Sequence, residues 1–272
     1  MSLTRASAGA PAGIFNGIVR TAAAAGVAAG LLLTAVQHLQ VIPIIQQAEV
    51  YEAARAAGPA APANAAAHTH ANGEQHTHAA AASSAAGADD AHADAEAHSH
   101  GGWEPEDGLE RTLYTALADV SMAVGYALLL AAILCLRGGA MNWRRGLLWG
   151  AAGYAVVFIA PSFGLPPELP GTAAAPVGLR QGWWLCTALS TSVALAMLVY
   201  GRKLLLKIAA VALLFVPHLV GAPQPPVHLA AAPQELVSAF IVATALANAV
   251  FWLALGALTG YFHQRYNLSA AS

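Results

Sequence analysis

Seven of the eleven histidines fall between positions 68 and 100, as His68-Thr69-His70, His76-Thr77-His78, His92 and His98-Ser99-His100. Glu74, Asp89, Asp90, Asp94 and Glu96 are interleaved with them. Neutral imidazole is a borderline ligand that suits zinc, copper, nickel and cobalt, and a flexible chain can wrap several rings around one ion. The tract therefore reads as a transition-metal binder. Its donors do not select the metal, because such a set follows the Irving–Williams order and holds copper, nickel and zinc at least as well as cobalt. The competing reading is a solvated linker that responds to pH.

A second group of candidates is sparse and lies near the ends of apolar runs. Asp119 is the one carboxylate inside such a run, about two turns below its outer end, where an ionised group is costly unless it faces a partner, water or an ion. A structural hydrogen bond near the interface is the plainer alternative. His38 stands near the outer end of the first run, ahead of Glu49 and Glu52, and His218 follows Pro217 at the end of the fifth. At a common depth, His38, Glu49, Asp119 and His218 would make a nitrogen and oxygen site at an entrance. A lone histidine at a membrane border is more often an interfacial hydrogen bonder. His228 and His263 are not expected to take part. The tryptophans read as interface anchors.

The elements that must position these groups are apolar helices. Of 272 residues, 57% are hydrophobic and 10% charged, against roughly 25% charged in soluble domains. That excludes an ordinary soluble enzyme, and 12 thinly spread Lys and Arg make no nucleic-acid-binding stripe. A bilayer core needs roughly 20 apolar residues in a helix. Six stretches come near this, at about 18–42, 112–136, 146–163, 183–200, 204–221 and 237–262. The expected fold is an all-α polytopic membrane protein of about six transmembrane helices. The opening run continues through Val41-Ile42-Pro43-Ile44-Ile45, past the length of a signal-peptide core, and so reads as a span.

Orientation follows from basic residues, which are retained in the cytoplasm. With the N-terminus inside, Arg5, Arg20, Arg137, Arg144, Arg145, Arg202, Lys203, Lys207 and Arg265 are cytoplasmic, and only Arg55, Arg111 and Arg180 lie outside. The expected organisation is a cytoplasmic tail at 1–13, a first span at 14–45, an extracytoplasmic loop at 46–111, spans two to six within 112–263 and a cytoplasmic tail at 264–272. Within the loop, residues 56–100 are Ala, Gly, His, Ser and acidic residues with almost no large apolar side chains, so disorder without a ligand is expected. Cys135 and Cys186 fall toward opposite ends of different spans and imply no disulfide.

A two-helix unit recurs three times. Odd spans end outward in Ile42-Pro43, Ala160-Pro161 and Val216-Pro217, and even spans contain Thr115-Ala116-Leu117-Ala118-Asp119, Thr187-Ala188-Leu189-Ser190-Thr191 and Thr244-Ala245-Leu246-Ala247-Asn248. A parallel repeat of three hairpins would set Asp119, Thr191 and Asn248 at one depth around a shared axis, where many repeat-built transporters place their sites. Ala-rich helices also produce such strings by chance.

Four blocks carry a family resemblance: Ala48-Glu49-Val50-Tyr51-Glu52, the segment from Trp103 to Thr115, Pro166-Pro167-Glu168-Leu169-Pro170-Gly171, and Pro217 to Pro225. In this order they resemble the signature blocks of the CbtA family, bacterial proteins proposed to be cobalt transporter subunits. The resemblance implies cobalt uptake linked to cobalamin synthesis, and a small single-span companion protein, CbtB, with its own histidine-rich end. It also implies about five spans, against six counted from the apolar runs, and a histidine-rich insertion ahead of the Trp103 block.

The expected function is transition-metal uptake, most of all of cobalt, across a bacterial cytoplasmic (inner) membrane, with the outer histidines capturing a divalent ion as cargo. Nickel, zinc or copper would fit the same donors, and no organic cofactor is expected. The alternative is a non-transporting metal-binding or scaffold subunit of a membrane complex. Expected partners are the CbtB-like companion, membrane lipid and further copies of the chain in a homo-oligomer. No GxxxxGK[ST] loop is present, so direct ATP coupling would need another chain, and the absence of HExxH, GxSxG and paired intramembrane carboxylates argues against an enzyme.

Overall fold

The computed structural model describes residues 9–57, 68–69, 75–76 and 105–270. In chain order the elements are α1 (Gly9–Gln40), α2 (Ile42–Ala56), a two-residue strand β1 (His68–Thr69), its partner β2 (Gln75–His76), α3 (Leu109–Arg137), α4 (Trp143–Tyr154), a π-turn (Ala155–Ile159), α5 (Ala160–Ser162), α6 (Val177–Tyr200), α7 (Leu204–Val220) and α8 (Gln234–Ala270). The expected disordered tract at 56–100 lies almost wholly outside the described residues.

Among the described residues four helices are long and apolar enough to cross a membrane: Gly13–Gln40, Leu109–Arg137, Val177–Tyr200 and Gln234–Tyr266. The chain is thus a helical membrane protein. The expected third and fifth spans take other forms. Pro161 has no N–H to continue the ladder and its ring crowds the preceding turn, and just ahead of it the helix widens so that the Ala160 N–H bonds Ala155 O, five residues back. The result is α4, π-turn and α5 in place of one regular helix. α7 has 17 residues and stops at Gly221, which takes a left-handed φ of 86°. The first span also ends earlier than expected. Its helix breaks at Val41, and Ile42 to Ala56, read from sequence as span end and outer loop, form the separate helix α2.

Small residues decide which helices meet. Lipid tails are as apolar as leucine, so helices in a bilayer associate by close packing, and glycine or alanine lets backbones approach. On α1, a Cβ at Gly26 or Gly30 would collide with the α3 backbone at Val124 or Val120. Ala22, Ala25 and Ala29 on α1, and Ala123 and Ala127 on α3, are fully buried. On α8, Gly256 and Gly260 abut Gly146 and Gly150 of α4, and Gly153 lies under the Trp252 ring. α8 packs on α1 as well, so α1, α3, α4 and α8 form one body whose core includes Leu33, Phe251, Trp252 and Leu255.

α6 and α7 form a second pair. It is joined to the first mainly through the π-turn and α5, and the Trp183 indole N–H donates to Pro217 O at 3.1 Å. The first two spans pack as an expected hairpin would. Beyond them α7 sides with α6, and α4 with α8, so the packing does not repeat as three consecutive hairpins. The loops before α6 and before α8 pair through Ala173 N–H to Leu229 O (2.8 Å) and Ala231 N–H to Gly171 O (3.2 Å). Gly171 takes a left-handed φ of 73° there, against Glu52 of α2.

Candidate functional site

Asp119 sits on α3 where Gly30 draws α1 close, and it is 7% exposed. The Thr34 hydroxyl on α1 donates to its Oδ2 at 2.8 Å. That hydroxyl also lies 3.1 Å from Gly30 O, so one proton has two acceptors in reach. The Gln37 side chain lies close to Asp119 as well. These partners are neutral. Carboxylate, hydroxyl and amide oxygen together form a donor set that takes a divalent cation once the hydrogen bonds open. Thr34, Gln37 and His38 follow at i, i+3 and i+4 and therefore share one side of α1. His38, exposed, stands one turn outward of Thr34.

The other expected ligands are placed differently. Glu49 on α2 receives both ends of the Arg111 guanidinium, at 2.5 and 3.3 Å, and Arg111 also donates to Asp107 at 2.8 Å. Glu49 therefore fastens α2 to the start of α3. Arg55, two turns further along α2, donates to Ala230 O at 3.3 Å, tying the same helix to the paired loops. His218 lies on α7 between Phe163 and Trp183, its ring edge-on to both at 6.2 and 5.7 Å. Since α7 packs on α6 and not on α1 or α3, His38, Glu49, Asp119 and His218 do not converge. Among the described residues no three His, Cys, Asp or Glu side chains stand close enough to hold a metal ion. The expectation of one four-residue entrance site is corrected accordingly: shared depth did not bring shared position around the bundle. Nor does α6, which carries Thr191, pack on α3.

In the histidine tract, β1 and β2 pair antiparallel with the backbone of His68 opposite His76. His70, His78, His92, His98 and His100 lie outside the described residues.

Sequence reading missed two threonines, one near the N-terminal part of α1 and one near the C-terminal part of α8. Thr21 and Thr259 are fully buried, and neither hydroxyl has a hydrogen-bond partner among the described residues. Elsewhere in these helices hydroxyls bond the carbonyl four residues back, as at Thr34, Thr115, Ser121, Thr187 and Ser192. His263, one turn beyond Thr259 on the same face, is buried too. A threonine in an Ala-rich run gives no periodic signal by which to single it out.

A family model described as a probable cobalt transporter subunit (CbtA) matches residues 15–264. No curated protein and no solved structure matches the chain.

Proposed function

The chain belongs to the CbtA family, and from that premise we propose that it moves a divalent transition metal, cobalt by the family's description, inward across the bacterial cytoplasmic membrane, with Asp119 as its intramembrane station. The observation that carries this reading is a buried carboxylate between two closely packed helices, held among the described residues by a hydroxyl, with an amide close by. A structural aspartate at such depth is expected to sit against a cation, because an unpaired charge there is costly. Neutral donors leave it free to exchange them for an ion.

In this proposal the histidine tract captures the ion outside, and the backbone pairing of His68 with His76 supports two neighbouring stretches acting on one ion. His38 stands on the outward route to Thr34 and Asp119. Both termini are cytoplasmic. α4 to α5 and α7 cross with the four longer helices to give six spans. At 1.5 Å per residue, 17 residues reach only ~25 Å against a core of ~30 Å, so the bilayer thins locally around α7. A single-span CbtB-like companion joins the chain in the membrane.

The test is accumulation of radioactive cobalt in cells lacking their own uptake. The expected result is accumulation by the intact protein and background levels with Asp119→Asn, a near-isosteric change that leaves the hydrogen bond from Thr34 possible. Metal binding by the tract without accumulation by any variant would instead make the chain a binding or scaffold component.

A further inference from the structure

Apart from Asp119, the described residues form a cleft of about 590 Å³ between the π-turn and the first two turns of α6. Its lining is apolar at Val157, Phe158 and Leu185 and charged at Glu168 and Arg180. Arg180 Nη2 donates to Glu168 at 2.7 Å, and each side chain is about three-tenths exposed. Arg180 Nε is buried, with no acceptor among the described residues. Guanidinium matches phosphate oxygens as well as carboxylate, and Arg180 lines the cleft with part of its side chain exposed beside the Glu168 contact. The cleft opens at the start of a membrane-spanning helix, where headgroups meet acyl chains.

We propose that this cleft seats one phospholipid with an amine-bearing zwitterionic headgroup. Its phosphate accepts from the exposed part of the Arg180 guanidinium, its ammonium donates to Glu168, and an acyl chain lies along Val157, Phe158 and Leu185. The charge pattern selects this occupant. Arg180 and Glu168 present one positive and one negative group side by side, which complements a zwitterion and leaves an anionic headgroup facing a carboxylate. A choline headgroup meets the same charges, but its nitrogen has no proton to give Glu168. The widened turn ahead of Pro161 shapes the apolar lining, and such π-turns recur at functional sites.

The test uses the full chain in nanodiscs containing equal phosphatidylethanolamine, phosphatidylglycerol and phosphatidylcholine, with lipid retained after detergent washing counted by native mass spectrometry. One phosphatidylethanolamine per chain is expected, preferred over phosphatidylglycerol by about tenfold, with phosphatidylcholine between. Arg180→Gln lowers retention by about tenfold, and Glu168→Gln removes the headgroup preference. Leu185→Trp, at a residue 53% exposed and so tolerant of substitution, fills the cleft and lowers retention of all three lipids. Should Arg180→Gln fail to fold, Leu185→Trp and Glu168→Gln decide the matter. Equal retention of the three lipids by the unaltered protein, or retention unmoved by Leu185→Trp, overturns the proposal. So does full displacement of lipid by free phosphoethanolamine, which would make the headgroup alone the ligand.

Discussion

Thr34 gives its proton to Asp119 across the α1–α3 contact, and the two residues are 85 positions apart in the chain. Thr34→Val keeps the shape and removes the donor, so it leaves the Asp119 oxygen short of a partner. The expected cost is about 1–3 kcal/mol of stability, read as a lowered unfolding midpoint in detergent, together with reduced cobalt accumulation. Thr259→Val should behave differently. Its hydroxyl is buried without a partner among the described residues, and replacing an unpaired polar atom by a methyl is neutral or stabilising, so the midpoint should hold or rise. The sequence made Asp119 legible because a lone carboxylate in an apolar run stands out. Its partner did not, because nothing in an Ala- and Gly-rich helix says which threonine turns inward. The fate of Glu49 and His218 follows from the same limit. Hydropathy reports depth along the membrane normal, while a binding site also needs position around the bundle.

Glycine placement explains why some helices are neighbours and others are not. Gly146 and Gly150 against Gly256 and Gly260 let α4 and α8 touch backbone to backbone. Gly256→Leu cannot fit there, and the contact should open. The check is loss of the monodisperse peak in size-exclusion chromatography, or a midpoint lowered by the equivalent of more than about 3 kcal/mol. Gly182, inside α6, has open space where a Cβ would stand. Gly182→Ala should therefore stabilise the helix by about 0.5–1 kcal/mol. The long apolar helices were readable from length and composition alone. The extent of α4 to α5, 143–162, also lies close to the apolar run at 146–163, and the helix stops just after Pro161; what the sequence did not reveal is the widened turn ahead of that proline, which no spacing of residues marks. The recurring Thr-Ala-Leu strings carried no information about pairing, since pairing follows small residues elsewhere on each helix.

At the scale of the whole molecule, α2 lies at the junction of three parts. Glu49 holds it to α3, Glu52 meets Gly171, and Arg55 reaches Ala230. The Glu49 to Arg111 pair is about one-third exposed, so Glu49→Gln should shift overall stability by no more than ~1 kcal/mol. The same change should loosen α2 and speed limited proteolysis after Arg55. Glu49 and Arg111 stand on either side of the histidine tract in the chain, and their contact joins α2 to the start of α3 about two turns from Asp119. In the proposed capture role, an ion released by the tract would be set free within a leash length of the Asp119 seam. The tract would then add local concentration, on the order of millimolar for such intramolecular delivery, and no new conducting step. Deleting residues 60–100 should accordingly raise the external cobalt needed for half-maximal uptake while leaving the maximal rate intact. A cell meeting scarce metal would depend on the tract, and one bathed in plentiful metal would not.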